Sequence, residues 1–372
     1  MDNSIKIKKR NAGIDLVRLI AMFCIIINHF LFIGNILKKY PKYQKQLIYL
    51  HILTDWHNNG FALISGIVGF KSNRYSNLLY LWITVFFYSF GIHAFTKIFI
   101  KKFIIIDDIS IEFFPIIFKR YWYFTAYFGM YLFLPVINKG ISFLSKSELK
   151  SVVISTLGIF AFWKDFKNPK KDVFNMKSGS STIWLLTFYL TGAYIGKYRV
   201  VYFGLKKYIF CFICFFIYLS SSYLYIKIKI DNIFLGKGVF LKELNCIFSN
   251  ILTTRFDSFL KIVQSITVCL FFLQLNYNKY IHKTICFLGP LIFGIYLIHI
   301  HPIIWINIIK HIFDNESKEL NLIPIIITVF RKSLKMFVFC ILIDYIRFLI
   351  FKLLRIKELC IILDSVINTY FL

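Results

Sequence analysis

Uninterrupted apolar runs of about twenty residues, the length that crosses a bilayer as a helix, recur from one end of this chain to the other. Bilayers admit only helices and closed barrels, because every backbone N–H and C=O must find its partner within the protein. The runs are continuous rather than alternating, which selects helices over barrel strands. Composition agrees. The 372 residues are 58% hydrophobic, 20% aromatic and only 17% charged, whereas soluble domains are about 45–50% apolar and about a quarter charged. The expected fold class is all-α, a polytopic membrane helical bundle of about ten transmembrane helices.

The expected spans lie near residues 14–36, 61–70, 78–98, 121–138, 151–163, 182–197, 206–228, 258–275, 285–309 and 333–354. A Lys/Tyr/His-rich connection follows the first and reaches about residue 56. The second, FALISGIVGF, is short, and its Ser65, Gly66 and Gly69 would let neighbouring helices approach closely. Gly289-Pro290 interrupts the ninth. The longest polar interval, near 229–257, contains Asp231, Glu243 and Asp257 and reads as a re-entrant or surface helix. No repeat and no low-complexity linker divides the chain. A single integral-membrane domain, 1–372, accounts for it, with no appended soluble domain.

The formal net charge of +27 would point to nucleic acid in a soluble protein. Here the Lys and Arg residues are scattered through the loops between spans and form no single face, so attraction to anionic lipid headgroups is the simpler account. A nucleic-acid partner is not expected. The eight cysteines lie mostly within apolar runs, where Cys behaves as a small hydrophobe. Cys211 and Cys214 form a CxxC inside a span, which reads as two neighbouring helix positions and not as a redox pair. The basic start, MDNSIKIKKRNAG, precedes too long an apolar run for a signal peptide and reads as the flank of an uncleaved first span. Lys197, Arg199, Lys206 and Lys207, with Arg347, Lys352, Arg355 and Lys357, place both termini on the cytoplasmic side by the positive-inside rule.

The first run, GIDLVRLIAMFCIIINHFLF from Gly13 to Phe32, carries Asp15, Arg18, Asn28 and His29. Polar groups are costly in hydrocarbon, so such residues face a bundle interior, a cavity or a partner. Eleven helical steps bring His29 back to within about 20° of Arg18, about 16 Å along the axis. Asp15 lies one turn before Arg18, at ion-pair spacing. His29 is the best candidate base, since a neutral imidazole accepts a proton from a hydroxyl. Arg18 cannot discharge itself and must be paired or bound to an anion. Lys71 and Arg74, in KSNR, stand one turn apart where the small-residue helix meets the membrane surface, a geometry suited to a phosphate-bearing ligand. Taken without context, an ordinary basic membrane flank is the favoured reading of the pair. Trp122 and Tyr123 open the fourth span as an interfacial belt, with ligand contact secondary. In FGIYLIHIHPII, His299 and His301 point to different helix faces, one toward the bundle and the other toward its boundary. No HExxH, paired cysteine or acidic ligand set points to a metal, and there is no GxSxG elbow or phosphate-binding glycine loop.

Taken together and in order, these segments resemble the membrane acyltransferase-3 family, the O-acyltransferases that modify bacterial surface polysaccharides and related glycans. The resemblance rests on DLVRLIAMFCIIINHF, with an Arg-x10-His pattern at Arg18 and His29, on the SG segment in FALISGIVGF, and on the basic pair at Lys71 and Arg74. YWYFTAYFGMYLFLPVIN and GIYLIHIHP are similar to the family's fourth-span and late His-Pro segments. FALISG, where relatives have two adjacent Phe before the SG, and the additional His301 are departures from its pattern. The resemblance implies about ten transmembrane helices in the bacterial cytoplasmic membrane and an acetyl-coenzyme A donor entering from the cytoplasm. No tightly bound cofactor is implied. It implies as acceptor a sugar hydroxyl on a surface polysaccharide or lipid-linked glycan. Lys71, Arg74 and Arg18 would hold the coenzyme A phosphates, His29 would activate the acceptor as a direct base or first carry the acyl group, and Trp122, Tyr123 and His299 would contact the acceptor. Some relatives carry an extracytoplasmic hydrolase-like domain, so this chain is expected to act alone or with a separate partner.

Two other classes use the same residue types. A proton-coupled transporter also places Arg, His and Asp within the membrane, but no two-fold repeat or paired broken helices occur here. A polysaccharide polymerase or flippase is equally hydrophobic. Loss of polymer, rather than of its acyl groups, would mark that class. A purely structural membrane protein explains the spans but leaves the ordered polar motifs without a purpose.

Overall fold

The computed structural model describes residues 10–72, 74–100, 102–103, 109–163, 172, 174–199, 202–229 and 256–371. The interval expected as a re-entrant or surface helix falls almost wholly outside these residues. Every regular element among them is helical: α1 (Ala12–Phe32), α2 (Ile36–Lys39), α3 (Gln44–Thr54), α4 (His57–Gly69), α5 (Ser76–Phe99), α6 (Ile109–Phe113), α7 (Trp122–Phe143) and α8 (Lys146–Leu157) come first. They are followed by α9 (Thr182–Tyr198), α10 (Gly204–Lys229), α11 (Phe259–Gln274), α12 (Lys279–Leu288), α13 (Ile292–His299), α14 (Pro302–Asn307), α15 (Leu322–Leu353) and α16 (Ile356–Phe371). Among the described residues, four stretches are long and apolar enough to cross a membrane, namely Ala12–Phe32, Ser76–Phe99, Gly204–Ile228 and Lys279–His299, and Phe259–Gln274 is a shorter apolar helix. The chain is a helical membrane protein.

Local chemistry sets several of the boundaries. The Asn11 side chain caps α1 by accepting from Gly13 N at 2.9 Å, and Asp15 in the first turn complements the helix dipole. Ser145 and Glu148 form a reciprocal capping box at the start of α8. Gly289-Pro290 does break the ninth apolar run, as a 3₁₀ turn between α12 and α13. Three elements differ from expectation. The connection after α1 folds into α2, a 3₁₀ turn and α3. The last long helix begins at Leu322, well before the expected residue 333, because Asn321 to Ile327 continues the apolar pattern across the Arg331/Lys332 pair. A further helix, α16, follows it; Asp364 accepts from Tyr75 N at 3.2 Å, fixing α16 against the start of α5.

The core sits around α1. One group of buried side chains joins α1 to α13 and α15 (Ile26, Phe30, Ile295, Val329), and another joins it to α4, α7 and α9 (Val17, Ala21, Leu63, Met130, Phe188). The small residues of α4 meet glycines on α9. An ideal Cβ on Gly66 would lie 2.8 Å from Ala193 N, and one on Gly192 would lie 2.9 Å from the Leu63 carbonyl carbon. Only hydrogen fits at either position, so the two backbones pack directly on each other.

Candidate active site

α1 is buried along most of its length, and its polar stripe lines one large cavity of about 1330 Å³. Arg18, Asn28 and His29 all lie on the cavity wall, with Arg10, His51, Asp55, His57, Asn58, Trp122, Tyr123 and Trp305 around it. The helical register places Arg18 and His29 about 16 Å apart along one wall, so the cavity has a cationic end and an imidazole end.

At the cationic end, Asp15 Oδ1 accepts from Arg18 Nη1 at 3.1 Å, the ion pair that the spacing allows. Asp15 also accepts a two-pronged interaction from Arg10, which the sequence presents only as part of a basic flank. One carboxylate therefore faces two guanidiniums, and a net positive charge remains beside the cavity. Arg10 and Pro290 also line a second pocket of about 770 Å³, together with Lys71, Arg74, Tyr80 and Lys357. Lys71 and Arg74 are not one helical turn apart, because α4 ends at Gly69 and both residues lie in the exposed turn that follows. The turn still brings them to one pocket. Among the described residues neither side chain has an ion pair, and Lys71 Nζ lies over the Phe70 ring, 5.5 Å from its centroid.

At the other end, hydrogen-bond directions fix the state of His29. His299 Nδ1 lies 2.6 Å from the Ile295 carbonyl oxygen, which can only accept, so this nitrogen carries the proton. His299 Nε2 is then the acceptor for His29 Nδ1–H at 3.2 Å. The neutral His29 ring consequently keeps its lone pair on Nε2. The Trp305 ring packs beside it at 4.9 Å between centroids. An imidazole with its orienting partner on one nitrogen and a lone pair on the other is the arrangement that general-base chemistry requires.

His299 itself is fully buried and does not line the cavity; it touches His29 rather than the space a substrate would occupy. His301 does not reach the bundle boundary. It is also fully buried, because the chain turns at Ile300 and Pro302 carries it inward. There Nδ1 accepts from Ile303 N at 3.3 Å while Nε2 donates to the Ser89 carbonyl at 3.3 Å, 3.7 Å from Glu112. Glu112 in turn binds Arg120 and the Ser89 hydroxyl, closing the chain before α7 onto α5. Trp122 stacks on Phe256 at the cavity rim, 6.3 Å between ring centroids, and the Tyr123 hydroxyl donates to the Asn58 carbonyl at 3.3 Å.

The sequence reading missed the network next to His29. Asn28 Nδ2 donates to His57 Nε2 at 3.0 Å, while Asn28 Oδ1 accepts from Thr54 at 2.8 Å and from His51 at 3.1 Å. Asp55 forms a buried ion pair with Lys261 of α11. Lys261 was the signal available, a lysine inside an apolar run, where an unpartnered charge is not sustained.

Comparisons with known proteins bear on the same residues. No match is found among curated proteins or among solved structures. A family model described as an acyltransferase domain matches residues 11–345, which takes in both ends of the cavity and nearly every element around it. This chain therefore belongs to the acyltransferase-3 family and is a membrane acyltransferase.

Proposed function

We propose that this protein is an O-acyltransferase that moves an acetyl group from acetyl-coenzyme A to a sugar hydroxyl of a surface polysaccharide or lipid-linked glycan precursor. The observation that carries the reading is the cavity that runs from Arg18 to the unprotonated Nε2 of His29 and shares Arg10 and Pro290 with the basic pocket of Lys71 and Arg74. A long, thin donor with a phosphorylated head suits two adjoining spaces of this kind. Lys71 and Arg74 take the phosphates, Arg with its fork and Lys as a point charge, and the pantetheine arm passes Arg10 toward His29.

At His29 the acceptor O–H gives its proton to Nε2 as the oxygen attacks the thioester carbonyl carbon. The new C–O bond forms, the C–S bond breaks, and the imidazolium returns the proton to the departing thiolate. Direct attack balances without a covalent enzyme intermediate. His299 is a positioning residue in this scheme, since its acceptor nitrogen holds the His29 proton on Nδ1. Trp122 and Tyr123 offer aromatic surface to the acceptor. The basic residues of the second pocket, Arg10, Lys71, Arg74 and Lys357, share one side, which supports a bacterial cytoplasmic membrane location with both termini cytoplasmic. The remaining helices complete about ten crossings.

The test is the O-acetyl content of the host glycan in His29→Ala and Arg18→Ala strains with membrane expression confirmed. Removing the base lowers transfer by about 10²–10⁴-fold. Normal acetylation in both strains overturns the assignment, and solute uptake without acetyl-coenzyme A consumption replaces it with transport.

A further inference from the structure

Lys261 lies in an apolar helix and is 4% exposed, and its partner Asp55 is 5% exposed. Burying such a pair costs desolvation on both sides, and apolar residues of similar size are often as stable or more so. The pair nevertheless stands beside the cavity, with only one of its members, Asp55, on the cavity wall.

Counting donors shows what is left over. Asp55 Oδ2 is taken by Lys261, with His51 Nε2 at 3.6 Å. Among the described residues Asp55 Oδ1 has no hydrogen bond. His57 Nε2 lies 3.7 Å from it, and that nitrogen already accepts from Asn28 Nδ2. The His57 proton is therefore on Nδ1, where it is donated to Asn58 Oδ1 at 3.0 Å. Asn58 Nδ2 is left with two N–H groups and, among the described residues, no acceptor. Both leftover atoms belong to buried residues that line the cavity with His29. The chain His57–Asn28 ties them to the residue next to that base.

Resting on the sugar-acceptor reading above, we propose that Asp55 Oδ1 and Asn58 Nδ2 form a recognition subsite for the hydroxyl that flanks the one acylated at His29. A vicinal diol meets both needs. The flanking hydroxyl donates to the Asp55 oxygen and accepts from the amide, while the ring face lies against Trp122 and Tyr123. Lys261, paired with Oδ2, fixes the orientation of the carboxylate. An alcohol with a single hydroxyl engages His29 alone and leaves this subsite empty.

The experiment uses the full-length protein in detergent micelles with radiolabelled acetyl-coenzyme A. The acceptors are p-nitrophenyl glucoside, galactoside and N-acetylglucosaminide, with cyclohexanol as the single-hydroxyl control. Asn58→Ala leaves the ion pair untouched, and Asp55→Asn/Lys261→Met removes both charges together so that neither is stranded. The expected result is a sugar KM raised about 10–100-fold, the scale of a lost hydrogen bond to a buried polar group. The KM for acetyl-coenzyme A and the rate with cyclohexanol stay at their wild-type values. A wild-type sugar KM in both variants overturns the subsite and leaves the sugar-acceptor reading standing. Parallel loss toward sugar, cyclohexanol and donor overturns it in favour of a structural role. Wild-type protein that acylates cyclohexanol as well as any sugar overturns the sugar reading and the subsite with it.

Discussion

Among the described residues, Asp344–Arg347 and Asp55–Lys261 are Asp–cation pairs with both partners buried, and they differ in what their carboxylates have left to offer. Asp344 on α15 accepts from Arg347 Nε at 2.9 Å, from Arg347 Nη2 at 2.6 Å and from the Tyr88 hydroxyl at 2.7 Å. Arg347 Nη1 goes on to the Tyr80 hydroxyl at 2.8 Å. Both oxygens are satisfied, and Gly294 packs directly over the carboxylate. Asp55 has Oδ2 on Lys261, no hydrogen bond on Oδ1 among the described residues, and a place on the cavity wall. A saturated pair fastens helices together, whereas one with an open acceptor beside a cavity holds a charge ready for a ligand. Burial alone does not separate the two cases; the donor count does.

The comparison breaks first on stability. Asp344→Asn strands the Arg347 guanidinium in a packed interior, and removal of one partner of such a pair costs about 3–5 kcal/mol. The thermal midpoint in detergent should fall sharply while the sugar KM of the surviving protein is unchanged. Asp55→Asn should destabilise less, because a stranded lysine can shed its proton whereas the Arg347 guanidinium cannot. If the two midpoints fall equally, the distinction between the pairs is lost.

A smaller effect sharpens it from the packing side. A Cβ on Gly294 would lie 2.6 Å from Asp344 Cβ and nearer still to its carboxylate. Gly294→Ala should therefore cost about 1–3 kcal/mol, the scale of overpacking. A midpoint within error of wild type would mean that the Asp344 site is looser than its contacts indicate.

The smallest effect belongs to an ion pair outside the bundle. Glu316 Oε1 lies 2.6 Å from Lys332 Nζ, and that hydrogen bond holds the Glu316 carboxyl below its usual range. A depressed carboxylate stabilises the fold above its unfolded pKa of about 4.3, and the contribution is lost as pH falls through the lower folded value. Surface pairs contribute about 0.2–1 kcal/mol. Glu316→Gln should lower the midpoint slightly at pH 7, with the difference shrinking under acid and under high salt. A difference that grows on acidification would contradict the ion pair.

Much of the fold was legible because a bilayer forces it. Continuous apolar runs can satisfy their backbone only as helices, so element type and approximate limits follow from the residues alone. The Arg18–His29 register is equally local, since helical geometry places both on one face. Lys71 and Arg74 show where such inference stops. Their spacing is right for one turn, but α4 ends before them at Gly69, and they reach a common pocket through a loop.

The sequence by itself determined a helical membrane chain, the Asp15–Arg18–His29 stripe, and the ordered motifs that mark an acyltransferase. Tertiary structure alone decided which nitrogen of His29 is free, because that depends on His299, 270 residues away. It likewise decided that Asp55 meets Lys261 across 206 residues and that His301 turns inward to Glu112 and not out to the boundary. The physical reason is common to all three. Helical periodicity says which face a residue occupies, but hydrogen-bond donors and acceptors are matched across helices whose separation in the chain carries no periodic signal.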